Sequence, residues 1–99
     1  MSYKVITIPR FEKDLKRLVK KYPSLKNEYI GLVHTLKEQP LQGSTLGNNC
    51  FKIRLAIASN VKGKSSGARV ITCFQAQDMT VYLLSIYDKA DQENISDKD

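Results

Sequence analysis

Histidine, cysteine and acidic residues are scarce in this 99-residue chain, and each scarcity removes a class of function. The single histidine, His34, has no second histidine with which to form a catalytic pair, and it falls between core positions of a helix as a surface or boundary residue. The two cysteines, Cys50 and Cys73, lack metal-ligand spacing. Both fall in strand-like stretches, so buried free thiols are expected rather than a disulfide. No metal and no cofactor are expected. No apolar run approaches the roughly 20 residues of a membrane span. The N-terminus Met1-Ser2-Tyr3-Lys4 alternates polar and apolar residues where a secretory segment would be uninterrupted. A cytoplasmic protein without a membrane partner is the expectation.

The scarcity of acid is local. From Gln39 to Gln77 there is none, yet Lys52, Arg54, Lys62, Lys64 and Arg69 all lie there. Residues 1 to 77 hold 14 Lys or Arg against 4 acids, whereas residues 78 to 99 hold 2 against 6. The net charge of +6 is therefore the sum of a strongly basic body and an acidic end. A basic stretch of this kind attracts polyanions.

With 41% hydrophobic and 26% charged residues the chain has the composition of one ordinary globular domain, expected over residues 1–89 with an acidic tail over 90–99. Tyr3 to Ile8 reads as a strand that Pro9 ends. Phe11, Leu15, Leu18, Val19 and Tyr22 then recur on one face of a helix that stops at Pro23. Leu25, Tyr29, Leu32, Val33 and Leu36 repeat the spacing up to Pro40, so the two helices form an antiparallel hairpin. Leu41 to Asn49 is dense in turn formers and marks the passage to strands. Phe51, Ile53, Leu55 and Ile57 alternate with Lys52, Arg54, Ala56 and Ala58 in the period of a half-buried strand. Ser59 to Gly67 reads as a loop, and Arg69–Gln75 and Thr80–Tyr87 as two strands joined through Ala76 to Met79. The expected fold is α+β, with the helical hairpin on one face of a twisted sheet that ends in a three-stranded antiparallel meander. Asp88 to Asp99 is expected to be a frayed tail or a helical turn starting near Ser96, so any C-terminal helix is short or absent.

Lys52 and Arg54 are two apart on their strand, so they project from one face about 6.5 to 7 Å apart, near the spacing of successive phosphates. Arg54 offers a planar fork that can hold a phosphate by two hydrogen bonds, and Lys52 a compact ammonium. Arg69 on the neighbouring strand can meet the same ligand. Lys62 and Lys64 flank Gly63 in the loop, where a mobile backbone could wrap a nucleic-acid strand. A plain solvated strand face accounts for the same pair without a ligand.

The stretch FKIRLAIASNVKGKSSGARVI followed by YLLSIYDK resembles the core of the RelE/ParE superfamily of toxins, particularly its HigB-type branch. The Phe11-x3-Leu-x2-Leu helix and the Gly43-x2-Leu46 turn fit the same superfamily. The resemblance implies the toxin of a type II toxin–antitoxin system, a ribosome-dependent endoribonuclease that cleaves mRNA and is silenced by a cognate antitoxin. It implies that Lys52, Arg54 and Arg69 bind the scissile phosphate while the 2′-hydroxyl attacks it, leaving a 2′,3′-cyclic phosphate. Cations converging on one phosphate would neutralise the charge that develops, and Lys52, next to Arg54, is the candidate to take the proton. Lys62 and Lys64 would contact RNA. Many relatives carry an arginine just after the last strand and a tyrosine farther on; this chain has Ala90, Asp91 and no tyrosine beyond Tyr87. Tyr87 or Lys89 would stand in for them. Two other readings share the fold: a ParE-like inhibitor of DNA gyrase, and a nucleic-acid-binding relative without catalysis.

Overall fold

The computed structural model describes residues 2–58 and 67–92. The chain runs β1 (Lys4–Thr7), α1 (Pro9–Lys21), α2 (Leu25–Glu38), β2 (Ser44–Gly47), β3 (Cys50–Leu55), β4 (Ala68–Gln75), β5 (Thr80–Asp88) and α3 (Lys89–Gln92). Pro9 opens α1, where its missing N–H leaves no helical bond unmade. Both helices follow the apolar spacing, and they lie on one face of a single five-stranded sheet of order β1-β5-β4-β3-β2. Phe11, Leu18, Leu25, Leu32 and Leu36 from the helices pack with Ile53, Ile57, Val70, Val81, Leu83 and Ile86 to make the core. β1 joins β5 in parallel, and the other pairings are antiparallel, so the expected α+β meander is present.

Three features depart from the sequence expectations. The turn-rich stretch before Asn49 holds a further strand, β2, which pairs with β3 through Gly47↔Cys50. Asn48 and Asn49 fill the connection at φ 55° and 63°, the pair of left-handed residues that a two-residue hairpin with the right twist demands. Cys50 and Cys73 are not free thiols. They stand opposite one another on β3 and β4 and form a disulfide, with Cα atoms 4.0 Å apart. Strand assignment alone does not say which residues face each other; register does, and here it sets two half-buried sulfurs side by side.

Asp88, expected at the start of a frayed tail, instead ends β5 and is 1% exposed. The cause is a bulge. The β4–β5 register steps from Thr72↔Leu83 to Ile71↔Ser85, which leaves Leu84 without an opposite residue. One extra residue reverses which side chains face the core. Val81 and Leu83 are buried before the step, and Ile86 and Asp88 after it. Tyr87 is thereby turned to the open face. The turn expected near Ser96 lies outside the described residues, and the short helix α3 begins directly after Asp88. Among the described residues no helix is long and apolar enough to cross a membrane.

Candidate phosphate-binding cleft

The face of the sheet away from the helices carries the charge. Ile53 is buried in the core, so Lys52 and Arg54 on either side of it point the other way. Arg54 is directly opposite Arg69, and Arg69 is directly opposite Tyr87. The hydrogen bond from the Phe74 N–H to the Asn49 carbonyl, 2.8 Å, marks that pair as a hydrogen-bonded rung. By alternation Cys50/Cys73, Lys52/Ile71 and Arg54/Arg69 are the other kind, in which side chains approach more closely. Two guanidinium groups are thus presented from neighbouring strands at one spot.

Lys52, Arg54 and Arg69, with Gly43, Ser44 and Lys89, line an open cleft of about 460 Å³. That volume is within the range of small-ligand sites. Gly43 shapes one wall. A Cβ on it would lie 2.4 Å from the Lys52 carbonyl oxygen, and its φ is +96°, so only glycine lets this segment approach β3 so closely. Lys89 enters from the opposite side at the first position of α3, where its N–H donates to the Gly67 carbonyl at 2.9 Å. Gly67 is itself pressed against β3, with a Cβ position 2.9 Å from the Leu55 carbonyl oxygen.

Arg69 is the unusual cation, since it is only 7% exposed. Its Nη1 donates to the Ala68 carbonyl at 3.2 Å. Burial lowers its pKa from the ordinary guanidinium value, the charge on Arg54 lowers it further, and Tyr87 opposes the shift. Among the described residues no carboxylate forms an ion pair with Lys52, Arg54, Arg69 or Lys89; the ion pairs there are Arg10–Asp14, Arg17–Asp14 and Lys21–Asp88. Four cations with no carboxylate partner among the described residues, one of them buried, make a site that an anion would stabilise. Guanidinium forks suit the oxygens of a phosphate.

The structure therefore brings together Lys52, Arg54, Arg69 and Lys89, and sets Tyr87 beside Arg69 across the β4–β5 pair. Lys62 and Lys64 lie outside the described residues. His34 is exposed on α2. Glu28 does more than solvate its helix, because its Oε2 accepts the Ala58 N–H at 2.6 Å and ties α2 to the chain leaving β3. Among the described residues no group of three or more His, Cys, Asp or Glu could hold a metal ion. Sequence reasoning did not find Gly43 and Ser44 as cleft walls. The Asn48-Asn49 pair was the available signal, since a hairpin there folds the preceding residues back along Lys52.

Comparison with known proteins adds family and fold. The family model described as "RelE toxin of RelE / RelB toxin-antitoxin system" matches residues 11–99. No curated protein sequence matches the chain. Among solved structures, the chain is similar to a double arginine-to-alanine mutant of the E. coli toxin RelE in the free state, at 19% identity and a TM-score of 0.68 over 94% of this chain and 90% of that one. It is similar to a chain of the intact E. coli RelBE toxin–antitoxin complex at 17% identity and a TM-score of 0.54, over 86% of this chain and 94% of that one. A metal-bound toxin from Helicobacter pylori matches at 21% identity and a TM-score of 0.53, over 90% of this chain and 97% of that one.

Proposed function

Because this chain belongs to the RelE toxin family of toxin–antitoxin systems, we propose that it is an endoribonuclease that cuts messenger RNA on the ribosome. The observation that carries the reading is the cleft itself: Lys52, Arg54, Arg69 and Lys89 converge with no carboxylate among the described residues to neutralise them. A phosphodiester in that cleft would meet Arg54 and Arg69 through its nonbridging oxygens. The ribose 2′-hydroxyl already sits beside the phosphorus, so the reaction needs orientation and charge neutralisation more than a powerful nucleophile. Attack forms the 2′-oxygen–phosphorus bond, the bond to the 5′-oxygen breaks, and a 2′,3′-cyclic phosphate and a 5′-hydroxyl result. Lys52 is the candidate to take the 2′ proton. Tyr87 or Lys89 is the candidate to return one to the departing oxygen, in place of the arginine and tyrosine that this chain lacks after β5.

A cognate antitoxin is the expected partner, with the ribosome and mRNA as targets, in the cytoplasm. An acidic segment of the antitoxin laid over the cleft would neutralise its cations and exclude RNA. Primer extension on mRNA in a purified translation reaction tests the activity. We expect breaks within the ribosomal A site, slowed about 10²–10³-fold by each removed phosphate donor and absent with Lys52→Ala/Arg54→Ala. Intact RNA alongside inhibited DNA gyrase would replace this reading with the ParE-like one. Intact RNA and unaffected gyrase, with RNA bound, would leave a nucleic-acid-binding relative.

A further inference from the structure

Three of the cleft's cations stand on strands held by a sheet, but Lys89 stands on a four-residue helix. A helix that short has no stability of its own. Besides the bond from the Lys89 N–H to the Gly67 carbonyl, the residue before the helix fixes it. The Asp88 side chain is 0% exposed, yet it meets three donors from two parts of the fold. The Tyr22 hydroxyl donates to Oδ2 at 2.7 Å, and the Lys21 ammonium donates to the same oxygen at 3.3 Å. The Ala90 N–H donates to Oδ1 at 3.0 Å. Ala90 is the second residue of α3, so the last of these bonds is an N-cap.

Tyr22 comes from the opposite layer. It terminates α1, and its carbonyl receives the Leu25 N–H at 2.9 Å, so it forms the corner between the helices. Lys21 packs its ammonium 5.3 Å from the centre of the Tyr22 ring while reaching Asp88. Burial pushes the Asp88 pKa up, but the hydrogen bonds from Tyr22, Ala90 and Lys21 outweigh it and hold the carboxyl below its ordinary value. The group is an ionised anchor between the helical corner and the start of α3. Its neighbours in sequence are Tyr87, opposite Arg69, and Lys89, in the cleft wall.

We propose that Asp88, clasped by the Tyr22 hydroxyl, is a positioning residue that aims Lys89 into the cleft and holds Tyr87 beside Arg69. The helical layer thereby sets the geometry of a site on the far face of the sheet. The inference rests on the reading of the cleft as a phosphate site, and it deepens that reading by assigning control of one wall to a residue that touches no RNA.

The test is a double-mutant cycle of Tyr22→Phe with Lys89→Ala. It is read on mRNA cleavage and on binding of a single-stranded RNA oligonucleotide whose 2′-deoxy substitution blocks cleavage. Exchange of the Ala90 amide is followed in the free protein. Lys89→Ala should weaken binding about tenfold in the native background and less than about twofold once Tyr22 has lost its hydroxyl, because Lys89 is then already misplaced. The Ala90 amide should exchange about tenfold faster in Tyr22→Phe. Asp88→Ala, which removes both acceptor oxygens, should reproduce both results if Tyr22→Phe folds poorly. Equal losses from Lys89→Ala in both backgrounds, or unchanged Ala90 exchange, overturn the proposal. Coupled binding and faster exchange without any cleavage uphold the positioning role and overturn the nuclease reading alone.

Discussion

The two faces of the sheet obey opposite rules. On the helix-covered face Val70, Val81, Leu83 and Ile86 interlock with Phe11, Leu18 and Leu36, and the contacts are apolar and mutually reinforcing. On the open face Arg54 sits directly opposite Arg69, and like charges in that position repel. Sites that bind charge commonly sacrifice stability in this way. The comparison teaches that the apolar burial comes from one face, and that the other can hold an unfavourable charge pair because the covered layer, with the Cys50–Cys73 disulfide, carries the fold.

The sharpest way to break the contrast is to cut into the covered face. Phe11 is fully buried and its ring lies 5.8 Å from that of Tyr29. Phe11→Ala should cost about 3–5 kcal/mol in denaturant unfolding, a large share of the ~5–15 kcal/mol that holds a domain together. Gly43→Ala probes the seam between fold and cleft. Its Cβ would press on the Lys52 carbonyl from a left-handed backbone, so thermal unfolding should report a loss of at least about 1–2 kcal/mol. RNA binding should weaken with it, since Lys52 must shift. The smallest effect has the opposite sign. Arg54→Gln should raise stability by about 0.5 kcal/mol while reducing RNA binding, because it relieves the repulsion at Arg69. A loss of stability there would mean that the open face, too, had been built for the fold.

The same contrast explains what could be read from the chain. The helices were legible because their apolar stripes repeat every 3.6 residues and end at Pro23 and Pro40. The cation pair Lys52 and Arg54 was legible because strand alternation is local. Register is not local, and it decided the rest. Nothing in the spacing of Cys50 and Cys73 says that they share a rung. The unpaired Leu84 is one apolar residue among several, yet it decides that Tyr87 faces the open side and that Asp88 goes inside. Asp88 was misplaced for a related reason: an acidic residue at the head of an acidic stretch looks solvated until its partners, Lys21 and Tyr22, are brought from 67 and 66 positions away.

The Cys50–Cys73 bond encloses a loop of chain with the two cysteines 23 positions apart. A peptide bond cut anywhere inside that loop would leave both fragments covalently joined. On a denaturing gel without reductant such a nicked molecule would migrate as a single species, and only a thiol reagent would separate its halves.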